Sequence, residues 1–130
     1  MPSIRRSRRV LVPLLALAYW ALLFWATHSP ARDDAGPPKV RHLDKVQHLA
    51  AFAILGAITS AAAACFVSPG PKLYLGVLAL IGSYAAVDEW TQGWIQNRMG
   101  DPLDWLSDML GALLGVVAFA VLSRWRARKK

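Results

Sequence analysis

The chain of 130 residues has room for one domain, and its 55% hydrophobic and only 18% charged side chains exclude an ordinary soluble domain of that size. A net charge of +7 invites a nucleic-acid reading, but the basic residues form two terminal clusters beside apolar runs, not a soluble basic face, so nucleic acid is excluded as a partner. What remains is an all-α integral membrane protein, a four-helix transmembrane bundle, because four apolar runs approach the ~20 residues that a bilayer-spanning helix needs.

Residues 1–9 read as a basic cytoplasmic tail carrying Arg5, Arg6, Arg8 and Arg9. Together with the apolar run that follows, Ser7-Arg8-Arg9 has the outline of an export signal. The run is too long for a signal core, contains Trp20 and Trp25, and lacks a small-x-small cleavage site, so it is expected to stay as a first span over 10–27 with Pro13 in its first turn. From His28 to Arg41, Pro30, Pro37 and Pro38 block a regular helix and predict an extramembrane loop, in which His28, like the neighbouring His42, reads as a solvated side chain.

A second helix is expected from about Leu43 or Asp44, spanning 46–67. Its first turns carry Asp44, Lys45 and His48, and the four-residue spacing puts Asp44 and His48 on one face. Capping accounts for Asp44 and an interfacial position for Lys45, but neither gives His48 a reason. Gly56, Ser60 and Ala64 form a stripe of small residues suited to close helix packing. Cys65, the single cysteine, has no basic neighbour to make it a thiolate and reads as packing.

Ser68 to Pro71 is too short for anything except an antiparallel return. The third span, 73–92, is short as a purely apolar run and closes on Asp88, Glu89 and Gln92, with Trp90 and Trp94 marking an interface. After a polar connection carrying Arg98, Asp101-Pro102 predicts an N-cap followed by proline at the first helical position, opening the fourth span over 104–122. Capping explains Asp101 well, Asp104 in part, and Asp108 not at all. Gly111 and Gly115 make a small-x-x-x-small pair, and 123–130 is a second basic tail, so the membrane domain covers 10–122.

The Lys and Arg distribution favours both termini in the cytoplasm: ten basic residues then lie inside, including Lys72, and five outside. In that orientation Asp44, Lys45, His48, Asp88, Glu89, Gln92, Arg98, Asp104 and Asp108 converge on the outer face from three helix ends. Five of the eight acids fall within 88–115, and acids beside membrane spans are costly unless they have partners or a task.

These residues resemble the VanZ-like family of small membrane proteins. The likeness lies in Asp44-Lys45-x-x-His48 with Phe52 and Gly56, in Asp88-Glu89-x-x-Gln92, in Arg98, in Asp104 with Gly111 and Gly115, and in Thr27-His28-Ser29. It implies location in a bacterial cell membrane and, for the founding member, an accessory part in resistance to glycopeptide antibiotics such as teicoplanin. The family often has asparagine where this chain has Asp108.

Four functions compete. The first is a binding module whose outward pocket engages a membrane-lipid or cell-wall-precursor headgroup, Lys45 and Arg98 meeting phosphate or carboxylate, the acids and Gln92 meeting hydroxyls or amines. An enzyme would use His48 and Glu89 as acid and base, or His48, Glu89 and Asp108 around a divalent metal, although no compact metal-binding signature is present and no cofactor is expected. In a purely structural subunit, Lys45 and Arg98 would merely neutralise the acids. A proton-coupled transporter would require a homo-oligomer. Anionic lipid is the expected partner of both basic tails.

Overall fold

A computed structural model describes residues 2–29, 43–95 and 101–129, folded as four helices: α1 (Pro2–His28), α2 (Leu43–Ala63), α3 (Pro71–Gln92) and α4 (Pro102–Arg128). Arg98 and His42 lie outside the described residues. Among the described residues, three stretches are long and apolar enough to cross a membrane: Arg6–His28, Leu43–Ala63 and Pro102–Arg128. α3, at 22 residues, has the length, but its last turns are given over to acids and an amide.

The helices outrun the apolar runs at both chain ends. Arginine is a good helix former, and nothing between Pro2 and Pro13 breaks the pattern, so α1 takes in the basic N-terminal residues. Pro13 is therefore in the helix interior and not in a first turn, and it leaves the Arg9 carbonyl without its amide partner. α4 likewise continues through Arg128. His28, expected in a loop, is the last residue of α1.

α2 stops at Ala63, short of the expected 67. The amides of Cys65 and Phe66 turn to carbonyls three residues back, Ala62 at 3.1 Å and Ala63 at 3.0 Å, tightening the chain before the Pro69-Gly70-Pro71 turn. Pro71 then opens α3 at a position where a missing amide costs nothing.

Cross-helix contacts fix the directions. Arg8 of α1 meets Cys65, just past the end of α2, through its carbonyl at 3.7 Å, and Tyr19, further along α1, donates to the Ala51 carbonyl at 2.9 Å, so α1 runs antiparallel to α2; the Trp20 indole also donates to Thr59 at 3.0 Å. α3 reverses again, and α4 lies parallel to α2 in the most extensive contact of the fold. There the backbones nearly touch: a Cβ on Gly56 would collide with the Ala112 carbonyl, on Gly111 with the Leu49 carbonyl, and on Gly115 with the Ala53 carbonyl. Phe52, Leu55, Ile81, Ala85, Ala112 and Val116 fill the space between α2, α3 and α4. Large apolar side chains including Leu17, Trp25, Leu75, Trp90 and Leu114 face outward, as a lipid-facing surface requires and an aqueous one does not.

Candidate functional site

The end of α1, the start of α2, the end of α3 and the start of α4 meet at one end of the fold and bring the polar side chains into three adjoining groups.

The first group ties α1 to α3. Thr27, buried, donates to Asp88 Oδ1 at 2.8 Å, and Gln92 Nε2 donates to Asp88 Oδ2 at 2.7 Å. His28 Nδ1 stands 3.5 Å from Asp88, and its Nε2 is 3.0 Å from the Thr91 hydroxyl. The Thr91 hydroxyl also reaches the Val87 and Asp88 carbonyls of its own helix, at 2.8 and 3.1 Å. Both oxygens of Asp88 are thus satisfied from within the fold.

The second group surrounds Lys45. Its ammonium donates to Asp101 Oδ2 and Asp104 Oδ1 and pairs with Asp44 Oδ2 at 3.3 Å, so three carboxylates share one positive charge. Asp44 is the exposed rim of this group; Asp104 is mostly covered. Asp101, read as a cap alone, has three tasks. Its Oδ1 accepts from the Leu103 amide at 2.8 Å, its Oδ2 meets Lys45, and its own amide donates to Glu89 Oε2 at 2.9 Å. The Lys45 ammonium and then the Leu103 amide hold its carboxyl below the usual carboxylate range.

In the third group, His48 Nδ1 pairs with Asp108 Oδ1 at 2.8 Å. Glu89 is 9% exposed and Asp108 0%. Each keeps one buried oxygen, Glu89 Oε1 and Asp108 Oδ2, with no hydrogen-bond partner among the described residues.

Glycine contacts between α2 and α4 position all of this. With Gly111 against Leu49 and Gly115 against Ala53, the parallel helices stay in a register that sets Lys45 beside Asp104 and His48 beside Asp108. The VanZ/LLP1 family matches this chain over residues 4–123, a stretch that includes the polar groups of all four helices. The chain belongs to the VanZ/LLP1 family. No curated protein and no solved structure matches it.

In this VanZ/LLP1 protein the expected pocket residues Lys45, His48, Asp88, Glu89, Gln92, Asp104 and Asp108 are gathered at one end, with Asp44 at the edge. Asp101, Thr27, His28 and Thr91 join them and were not expected there. The signal for the first was its position three residues before Asp104; for Thr27 and His28 it was the polar exit from an apolar run. Among the described residues, His48, Glu89 and Asp104 offer donor atoms within 4.8 Å of one another, the set that could hold a metal ion. Asp108, named in the expected metal set, lies outside that group and meets His48 Nδ1 through Oδ1. The described part of the cluster is acidic on balance: Asp44, Glu89, Asp101, Asp104 and Asp108 face a single ammonium, Lys45.

Proposed function

We propose that this VanZ/LLP1 protein is a multi-pass bacterial membrane protein with four spans and both termini in the cytoplasm, whose outward-facing polar cluster binds the headgroup of a membrane lipid or cell-wall precursor. The observation that carries the reading is the pair of unpartnered oxygens on Glu89 and Asp108. Neighbouring Asp88 and Lys45 are saturated, whereas these two acceptors are buried and leave a donor wanting. Hydroxyl or ammonium groups of a headgroup supply such donors, and charge-assisted hydrogen bonds of this kind are worth about 1.5–3 kcal/mol each. The acidic balance favours the hydroxyl- or amine-bearing part of the ligand over its phosphate at this end.

The opposite end suits phosphate. A cleft of about 620 Å³ there is lined by Arg8, Arg9 and Arg126 over apolar Val12, Phe119 and Leu122. Three guanidinium groups above an apolar floor fit an anionic lipid, and the positive-inside distribution of Lys and Arg supports placing this end in the cytoplasm.

A second reading rests on the His48–Asp108 pair. A carboxylate holding one imidazole nitrogen orients the other toward a substrate, as a general base requires, with Glu89 as the acid.

Native mass spectrometry from mild detergent tests the proposal. The wild type is expected to carry an adduct with the mass of a headgroup-bearing lipid, and Glu89→Gln, which keeps size but removes charge, to lower its occupancy at least about tenfold. Bare wild-type protein contradicts the binding reading. An adduct whose mass changes over time, and does so only while His48 is present, favours the enzyme.

A further inference from the structure

We infer that His48, Glu89 and Asp104 form a binding site for a divalent transition-metal ion, with Asp108 as the residue that positions His48. This goes beyond the headgroup reading and stands without it: a metal takes the Glu89 Oε1 that the headgroup reading gives to a ligand donor, and leaves Asp108 Oδ2 to that ligand.

Three helices contribute one ligand each: His48 comes from α2, Glu89 from α3 and Asp104 from α4, and their donor atoms lie within 4.8 Å of one another. No two of them are close in sequence, so no short motif announces the site. The Asp108 carboxylate engages His48 Nδ1 at 2.8 Å, leaving the Nε2 lone pair for a metal. A carboxylate behind a ligating imidazole is the arrangement that fixes its tautomer and raises its basicity at metal centres. Glu89 is held from the other side, its Oε2 accepting from the Asp101 amide at 2.9 Å while Oε1 is buried and unpartnered. Asp104 uses Oδ1 for Lys45, which leaves Oδ2 as its ligand atom.

The charge argues for a cation. Glu89, Asp104 and Asp108 crowd one mostly enclosed space, while Lys45, the nearest ammonium, is already shared among Asp44, Asp101 and Asp104. A divalent ion cancels two charges and gives Glu89 Oε1 the partner it lacks. One imidazole nitrogen with two carboxylates suits Zn²⁺ or Mn²⁺ better than Ca²⁺ or Mg²⁺, which favour all-oxygen sets. Ligand atoms at about 2.1 Å from a tetrahedral ion are roughly 3.4 Å apart, so binding draws the side chains together by on the order of an ångström. Three protein ligands leave at least one open position for water or an incoming oxygen.

Chelator-stripped, detergent-solubilised protein is titrated with Zn²⁺ by calorimetry and with Mn²⁺ by electron paramagnetic resonance. About one equivalent of ion is expected, with nitrogen modulation of the Mn²⁺ echo from His48. Glu89→Gln and His48→Gln are expected to weaken binding at least about tenfold, and Asp108→Asn about 10- to 100-fold. Folding of each variant is checked by circular dichroism. Absence of saturable binding to the wild type overturns the inference, as does full-affinity binding by folded Glu89→Gln. Should the variants not fold, the wild-type Mn²⁺ echo decides, and a spectrum without nitrogen modulation overturns the site. A headgroup adduct retained by metal-free protein leaves the binding reading intact whatever the titration shows.

Discussion

Asp88 and Asp108 are both fully buried aspartates on neighbouring helices, yet their surroundings give them different tasks. Thr27 and Gln92 saturate Asp88, so it holds α1 to α3. Replacing Asp88 with Ala leaves the Thr27 hydroxyl and the Gln92 amide without their acceptor, with an expected loss of about 1–3 kcal/mol. A melting curve in detergent checks this, and an unchanged melting temperature refutes the assignment. Asp101 makes a pH-dependent contribution of defined sign. Its carboxyl is held below the usual range by Lys45 and the Leu103 amide, so its stabilisation is fully present above the unfolded value of about 3.9 and is lost as pH falls through the lowered native value. Asp101→Asn keeps a good N-cap but removes the charge. The variant is therefore expected to melt below the wild type at pH 7 and to converge with it as pH falls through the lowered native value; a gap that ignores pH contradicts the ion pair. At this scale the spacing of Asp44, Lys45 and His48 and of Asp88, Glu89 and Gln92 marked the polar positions. Their partners were not legible, because Lys45 meets Asp101 and Asp104 across separations of 56 and 59 residues, and Asp88 meets Thr27 across 61. His28, expected in a loop, is hidden for the same reason: its partners Asp88 and Thr91 belong to another helix.

Helix boundaries set by local chemistry are more legible in the sequence than those set by apolarity alone. Asp101-Pro102 and Pro71 mark α4 and α3 through local chemistry, since a cap accepts from its own helix and proline fits a first turn. The start of α1 and the end of α4 are expected where apolarity stops, which measures the bilayer and not the hydrogen-bond ladder; arginine-rich segments simply continue it. The small residues of α2 and α4 announced close packing, although not that these two parallel helices would be the pair. Gly115 makes the sharpest test. A Cβ there meets the Ala57 amide nitrogen at 2.8 Å as well as the Ala53 carbonyl, and backbone cannot step aside as a side chain can. Gly76, also helical, has nothing within 4 Å of the same atom. Gly115→Ala is expected to destabilise by about 1–3 kcal/mol, and Gly76→Ala to be neutral or stabilising by up to about 1 kcal/mol. Equal effects of the two substitutions on thermal stability would show that α2 and α4 are not in backbone contact.

Over the whole molecule, charge is divided between two ends. One gathers carboxylates, imidazoles and Lys45 around the meeting of four helix termini; the other gathers Arg8, Arg9 and Arg126 around a cleft. That division was legible before any coordinates, because alternating helix directions sort the segments by parity. Which acids would be satisfied and which left open was not, since it depends on side-chain geometry at the helix crossings. The central claim is that the acidic end faces out of the cell while the arginine end faces the cytoplasm. Thiol labelling of intact cells tests it most directly. With Cys65 replaced by serine, single cysteines are placed at Trp94, exposed beside the acidic cluster, and at Ser68, exposed in the α2–α3 turn. A membrane-impermeant maleimide is expected to label Trp94→Cys in intact cells and Ser68→Cys only after permeabilisation. Labelling of Ser68→Cys but not Trp94→Cys in intact cells would invert the molecule and contradict the outward-facing site.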